Sequence, residues 1–315
     1  MDVSKVRLGY ILVLIASVLL GLSTAVNKLV LDRGVHPFLV NFCTYFILAC
    51  TLLPFVYTKR NKKNEEDGDV KDKNENKRTY SNFKITLAII ASGMLGIGTG
   101  GAFFFYGLSR TTAVNASLLI NTEVLFSVII AYIFLKERGK TKDYIAILLL
   151  LICAVIVTTN LEFSSLSLAE KFMGNIFIII TCLIWGVDNN VSKIIVGRYS
   201  VIKMTAVKML FASLSVIVIG TLAGMNFNMD LVSFLYIVFN GAFSMAVGFL
   251  FYYIGLKNIG SMRTNAVYAT QAIFGLVFAY LILNEPVSPL QIFTGALMMV
   301  GVYILSKDFK KIAET

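Results

Sequence analysis

Ala131-Tyr132-Ile133-Phe134-Leu135-Lys136-Glu137 and Ala279-Tyr280-Leu281-Ile282-Leu283-Asn284-Glu285 are two copies of one phrase, Ala-Tyr-x-x-Leu-x-Glu, set 148 residues apart. The match continues outward at the same offset. Gly93 pairs with Gly241, Phe103 with Phe251, Gly107-Leu108 with Gly255-Leu256, Thr122 with Thr270 and Phe126 with Phe274. Nearer the start of each copy the offset becomes 165, pairing Gly9 with Gly174, Gly21 with Gly186 and Lys28 with Lys193. The difference of 17 residues is an insertion in the first copy. It falls around 58–80, where Arg60-Asn61-Lys62-Lys63-Asn64-Glu65-Glu66-Asp67-Gly68-Asp69 mixes both charge signs and lacks apolar residues. Such a stretch cannot bury enough surface to offset its ordering entropy, so it is expected to be a disordered loop.

The repeated material is made of apolar runs. Of the 315 residues, 57% are hydrophobic and 15% charged, too apolar for a soluble domain of this length. A membrane-crossing helix needs about 20 predominantly apolar residues. Ten runs meet that need: 8–31, 37–57, 83–108, 112–135, 142–159, 171–196, 201–223, 230–256, 260–283 and 288–306. The boundaries between the third and fourth and between the eighth and ninth are soft. The first run lacks a small-residue cleavage site after a short apolar core, so it reads as a retained span. The predicted fold class is therefore all-α, a polytopic membrane protein. Its ten transmembrane helices form two five-helix units, 8–159 and 171–306. Five is odd, so the second unit enters the membrane from the opposite side, and inverted repeats of this kind build many secondary transporters.

The net charge of +10 follows topology. With the N-terminus inside, nine Lys and Arg fall in 59–84, whereas the outer segments hold only Arg33, Arg110 and Lys171. This positive-inside bias puts both termini in the cytosol and the chain in the cell membrane, and it removes the need to invoke nucleic acid. Cysteines 43, 50, 153 and 182 lie inside apolar runs with no CxxC spacing, so each is expected to be a buried small hydrophobe. No metal or other cofactor is implied, and no catalytic residue.

Ten spans, the five-plus-five duplication and the Ala-Tyr-x-x-Leu-x-Glu ending of spans 4 and 9 together resemble the drug/metabolite transporter superfamily, specifically its EamA-type ten-helix members. The resemblance covers 10–159 and 174–306. It implies a transporter of small metabolites, often amino acids or related compounds, that works by alternating access. It also implies a central cavity lined mainly by spans 1, 3, 4, 6, 8 and 9. Many members carry a proline partway along spans 4 and 9, where this chain has Glu123-Val124 and Gln271-Ala272.

Polar residues inside apolar runs mark the candidate pathway. A charge at the bilayer centre costs about 2.5–3.5 kcal/mol on insertion scales, so it usually faces a cavity or a partner. Glu123 stands mid-span, with Asn115 and Thr122 near the same face. It is the candidate proton carrier or substrate contact; the competing role is a structural hydrogen bond between helices. Its counterpart is the neutral Gln271, next to Thr270. Span 1 carries Ser23, Thr24, Asn27 and Lys28; span 6 carries Asp188, Asn189, Ser192 and Lys193, in the same one-face spacing. Stripes of this polarity are too costly to face lipid and should line a route through the bundle. Lys28 and Lys193 singly suit snorkelling or ion pairing, and Asp188 could take a lysine or a substrate ammonium. Tyr268 and Trp185 could stack on substrate or pack the core. Glu137 and Glu285 suit the positive end of a helix dipole. His36, before Pro37, suits a turn.

Spans 3 and 8 carry small residues four apart, such as Gly96 and Gly100, which suits close helix packing in lipid. The expected partners are a small-molecule substrate, the lipid bilayer and protons; the oligomeric state is left open. With no P-loop, ATP-driven pumping has no support. An intramembrane enzyme would need a nucleophile–base pair or a metal cluster, and one loop histidine with no HExxH speaks against it. The leading function is a secondary transporter of small polar metabolites such as amino acids, exporting and proton-coupled. The alternatives are a passive facilitator or a membrane sensor on the same fold.

Overall fold

The computed structural model describes residues 3–66, 75–135, 141–159, 168–196 and 199–308. Among the described residues every regular element is helical. The first half comprises α1 (Val3–Asp32), α2 (Pro37–Glu66), α3 (Glu75–Ala91), a π-helical stretch (Ser92–Gly98), α4 (Thr99–Leu108), α5 (Ala113–Leu119), α6 (Thr122–Leu135) and α7 (Thr141–Thr159). The second comprises α8 (Leu168–Val196), α9 (Val201–Leu222), α10 (Leu231–Phe239), a second π-helical stretch (Asn240–Met245), α11 (Ala246–Tyr268), α12 (Gln271–Leu283) and α13 (Pro289–Asp308). Six of the described helical stretches are long and apolar enough to cross a membrane: Ser4–Asp32, Pro37–Val56, Phe83–Leu108, Lys171–Val196, Val201–Leu222 and Leu231–Gly260. Their outward faces carry bare apolar side chains, among them Leu222, Leu231, Leu95 and Ile194. A water-facing surface would not tolerate so continuous an apolar skin, and lipid would.

The region expected to be a loop, 58–80, is helical in its described flanks, since α2 runs to Glu66 and α3 begins at Glu75; 67–74 lie outside the described residues. The soft boundary between the eighth and ninth runs falls at Gly260, whose φ of 79° interrupts α11. Only glycine enters that region without steric cost. Of the cysteines, Cys153 and Cys182 are buried as expected, but Cys50 is exposed on the outer face of α2.

Both helix breaks arise without proline. Between α5 and α6, Asn121 N–H donates to the Leu118 carbonyl at 3.2 Å and Glu123 N–H to that of Ile120 at 2.9 Å. The Thr122 hydroxyl occupies the Leu119 carbonyl at 2.7 Å. Between α11 and α12, Thr270 N–H donates to the Val267 carbonyl at 3.0 Å, and the Thr270 hydroxyl shares that carbonyl at 2.7 Å. Three-residue hydrogen bonds tighten the backbone, and at each break a threonine hydroxyl adds a donor to a carbonyl of the preceding turn.

Helix packing crosses between the halves of the chain. Helix α1 packs on α11 and α12, α8 on α4 and α6, α2 on α9, and α7 on α13. Several backbone approaches use glycines that the sequence match pairs. A β-carbon on Gly174 would lie 2.8 Å from the Gly107 carbonyl oxygen, and Gly255 approaches the Gly9 carbonyl. A β-carbon on Gly21 would lie 2.8 Å from the Gly275 nitrogen, and one on Gly186 2.9 Å from the Ser127 nitrogen. Dispersion between closely approaching backbones is what holds helices together where lipid removes the hydrophobic force.

Candidate functional site

At the centre, the two helix breaks and the two π-helical stretches surround a cavity with an empty volume of about 630 Å³. Helix α1 contributes Ser23, Thr24 and Asn27 to its wall, and α8 contributes Trp185, Asp188 and Asn189. Glu123, Tyr268 and Gln271 enter from the helix breaks. Phe104, Phe105, Tyr252 and Tyr253 add an aromatic lining from α4 and α11. Tyr45 of α2 joins them, a span outside the expected lining set.

The charged groups are organised on one side. Asp188 Oδ1 accepts from the Ser92 hydroxyl at 2.5 Å, and Oδ2 accepts from Lys208 Nζ at 2.5 Å. Lys208 Nζ donates also to Ser192 Oγ at 2.6 Å and to the Tyr253 hydroxyl at 3.2 Å, so all three ammonium protons are used. Both ion-pair side chains are essentially inaccessible, at 1% and 2% exposure. A pair taken this far out of water survives only when its remaining donors and acceptors are also satisfied, which is the case here. The π-helical stretch makes this possible. It brings Ser92 onto the Asp188 carboxyl and lays Gly96 against it; a β-carbon there would sit 2.4 Å from Oδ1. Next to the pair, Asn189 Nδ2 donates to Glu123 Oε1. Glu123 is buried and lines the cavity.

The other side of the cavity is neutral. Asn240 Nδ2 donates to Asn27 Oδ1 at 2.7 Å, and Asn27 Nδ2 to Ser23 Oγ at 3.4 Å. The Gln271 Oε1, buried there, has no hydrogen-bond partner among the described residues.

Several residues expected on the pathway stand elsewhere. Lys28 pairs with Asp32 along α1 at 2.9 Å, and Lys193 is exposed on α8. Asn115 accepts from Gln291 Nε2 at 2.9 Å, tying α5 to α13. Thr122 and Thr270 build the helix breaks, and Ser192 holds Lys208. None of these six lines the cavity. The main residue missed by sequence reasoning is Lys208. Its only signal was being a lysine deep in the seventh run.

Glu285 takes both backbone N–H groups at the start of α5, Ala113 at 2.9 Å and Val114 at 3.0 Å. Asn284, in the left-handed conformation at φ 53°, turns the chain so that it can. An acid at a helix N-terminus meets the positive end of the dipole, as expected, though the helix it caps belongs to the other half of the chain. Lys136 and Glu137 of the first copy lie outside the described residues. His36 stands just before α2, its carbonyl accepting from Leu39 N–H at 2.9 Å. Outside the apolar region Arg33 Nη2 binds Asp230 Oδ2 at 2.7 Å, and Arg33, with help from Ser233, holds that carboxyl well below the usual carboxylate range.

The model of the EamA-like transporter family matches residues 7–159 and 172–307. The chain belongs to this family. It is similar to an uncharacterized transporter of Methanothermobacter thermautotrophicus, 29% identical over 305 residues, covering 94% of this chain and 85% of that one. An uncharacterized transporter of Clostridium kluyveri is 22% identical over 317 residues, covering 98% and 97%. A solved crystal structure with 16% identity superposes with a TM-score of 0.64 over 97% of this chain and 98% of the other, which is a likeness of fold. Membership in a transporter family makes this EamA-like chain a multi-pass membrane transporter, with substrate and bilayer as its partners.

Proposed function

We propose that this EamA-like protein is a secondary transporter that exports small polar metabolites by alternating access, with Glu123 carrying the coupled proton. The observation that carries the proposal is the central cavity at two helix breaks, with the buried carboxyl of Glu123 in its wall, one oxygen of which accepts from Asn189. Discontinuous helices meeting at mid-membrane are how transporters bind substrates without exposing backbone to lipid. The proposed topology is ten spans in two inverted five-helix repeats, with both termini cytosolic. Support comes from correspondences at one offset. The π-helical stretches begin at Ser92 and Asn240, 148 apart, and the breaks at Thr122 and Thr270 match at the same offset. Within the cavity Ser23, Thr24, Asn27, Asp188, Asn189, Tyr268 and Gln271 form the proposed substrate surface, and Lys208 holds Asp188 in place.

The test is flux in proteoliposomes with and without an imposed pH gradient. Gradient-driven, saturable flux in wild type that loses its pH dependence in Glu123→Gln is the expected result. Flux that keeps its pH dependence in that variant removes Glu123 as the coupling group. Flux that ignores the gradient altogether in wild type means a facilitator.

A further inference from the structure

The buried pair of Lys208 and Asp188 has a matching place in the other half of the chain. Helices α2 and α9 begin at Pro37 and Val201, 164 residues apart, which sets Thr44 against Lys208. The packing agrees. A β-carbon on Gly93 would lie 2.4 Å from the Lys208 carbonyl oxygen, and one on the matched Gly241 would lie 2.8 Å from the Thr44 carbonyl oxygen. The groups around the ammonium correspond as well. Asp188 matches Ser23 and Ser192 matches Asn27 at an offset of 165, while Ser92 matches Asn240 and Gly96 matches Ser244 at 148. Where one place has a lysine, an aspartate and a glycine, the other has a threonine and two serines. The charges are gone and the oxygens remain.

Those oxygens lack partners. Thr44 Oγ1, Asn240 Oδ1 and Ser244 Oγ are buried and make no hydrogen bond among the described residues. The same holds for the Tyr45 hydroxyl and for both amide atoms of Asn41, one turn apart on α2. Gly101 of α4 leaves room for these two: a β-carbon there would lie 2.8 Å from the Tyr45 hydroxyl and 3.0 Å from Asn41 Nδ2. Hydroxyls elsewhere in these helices behave differently. Ser17, Thr51, Thr181, Thr205 and Thr294 each donate to the carbonyl four residues back. Asn240 is also held in place, because its Nδ2 donates to Asn27 Oδ1 at 2.7 Å. A buried polar atom left unpaired is costly, so several where α2 packs on the second π-helical stretch point to a ligand.

We propose that this place, between α1, α2 and the second π-helical stretch, binds a monovalent alkali-metal cation where its match holds the Lys208 ammonium. Hydroxyl and amide oxygens are hard donors, the kind that such ions take in exchange for water. Charge selects the monovalent ion. Among the described residues the buried carboxyls are Glu123 and Asp188, and Lys208 alone stands against them, since Lys28 is taken by Asp32. One further positive charge balances the interior when Glu123 is ionised. A divalent ion would overshoot that balance, and it seeks carboxylate ligands that this place does not offer. Transporters hold ions where a helix is interrupted, and the π-helical stretch is such an interruption. Thr44, Asn240 and Ser244 do not line the central cavity, so the ion's place is separate from that of a substrate.

The test is the melting temperature of the full-length protein in detergent, at fixed pH and equal ionic strength, in NaCl, KCl and N-methyl-D-glucamine chloride. Wild type is expected to melt higher, and saturably so, in NaCl or KCl than in N-methyl-D-glucamine chloride. The salt with the lower half-saturating concentration names the preferred ion. That concentration should rise about tenfold or more in Thr44→Val and in Ser244→Ala. Thr44→Lys supplies a tethered ammonium and should melt alike in all three salts. Ser244→Ala removes a single oxygen, which keeps the test open should a Thr44 variant fail to fold. Wild type that melts alike in all three salts overturns the site, its oxygens then serving water. A metal-dependent rise that persists unchanged in Thr44→Val and Ser244→Ala overturns it too, because the ion then binds elsewhere. A folded Thr44→Lys that still responds to the metals does the same. None of these readings depends on flux, so the site and the transport proposal fail separately.

Discussion

Lys208 and Asp188 form the most consequential residue pair. Each is buried to within 1–2% exposure, so removing either partner strands a charge. Breaking a buried pair from one side costs about 3–5 kcal/mol, while replacing both ends together is often neutral. Asp188→Asn and Lys208→Met are therefore each expected to lower the melting temperature in detergent steeply. The double variant should recover most of the loss. A double variant as unstable as the singles would mean that the pair does not act as a unit. Exposed pairs behave differently. Arg33 and Asp230 lie 40% and 46% exposed, and pairs of that kind contribute little in salt. Arg33 holds the Asp230 carboxyl below its ordinary range, so whatever it adds is present above the unfolded value and fades only as pH falls through the lower folded one. Arg33→Gln should leave both stability and the pH profile of transport between pH 5 and 8 unchanged.

At the scale of the element, the π-helical stretch over Ser92–Gly98 exists to bring backbone close to α8 and α9. A β-carbon at Gly93 would come 2.4 Å from the Lys208 carbonyl oxygen, a fixed backbone atom; one at Gly96 would meet the Asp188 carboxylate. Gly93→Ala is expected to destabilise by about 1–3 kcal/mol through overpacking, read as a lower melting temperature. Gly96→Ala should reduce flux more than stability, because the carboxyl can swing away, but only by leaving Ser92. The same scale governs the clamp on α5. Glu285→Ala leaves two N–H groups of a seven-residue helix without their acceptors, and loss of a cap costs about 1 kcal/mol. Asn284→Val should add to that through left-handed strain, whereas Asn284→Gly should be tolerated. Equal stability of the Val and Gly variants would show that the turn does not need a left-handed residue.

At the scale of the molecule, one frame carries two chemistries. Phe104 and Phe105 stand 148 residues before Tyr252 and Tyr253, and Glu123 before Gln271. Ser23 and Thr24 stand 165 before Asp188 and Asn189. The cavity wall is thus assembled from matched positions. Yet the acidic groups gather where α6 meets α8, and the neutral ones where α1 meets α12. Under the transport proposal, alternating access uses the matched frame and coupling uses the mismatch. Gln271→Glu places a second carboxyl opposite the first. It is expected to raise the number of protons exchanged per substrate, or to stall flux at high pH, measured as a shifted pH–flux profile. An unchanged profile would mean that position 271 does not sense the coupling proton.

Much of this was readable in the chain. The apolar runs follow from composition, because a segment of about 20 apolar residues has nowhere to go but a bilayer or a core. The repeat follows from matched glycines and the Ala-Tyr-x-x-Leu-x-Glu phrase, and family membership from both. Glu123, Asp188, Asn189, Asn27 and Ser23 stood out because polarity within an apolar run is expensive. What the chain could not disclose was partnership. Thr122 and Thr270 looked like lining and instead make the breaks, since a hydroxyl serves a ligand or its own backbone equally well until the helix path is known. Lys208 looked like one more lysine. Only folding brings its ammonium onto Asp188, Ser192 and Tyr253, from helices 16 to 45 residues away. A charge inside the membrane announces itself in sequence through what it costs. The group that offsets the cost is chosen by packing between distant helices, so the tertiary structure alone decided that Asp188 is paired with Lys208 and Ser92 while Glu123 meets Asn189 at the cavity wall.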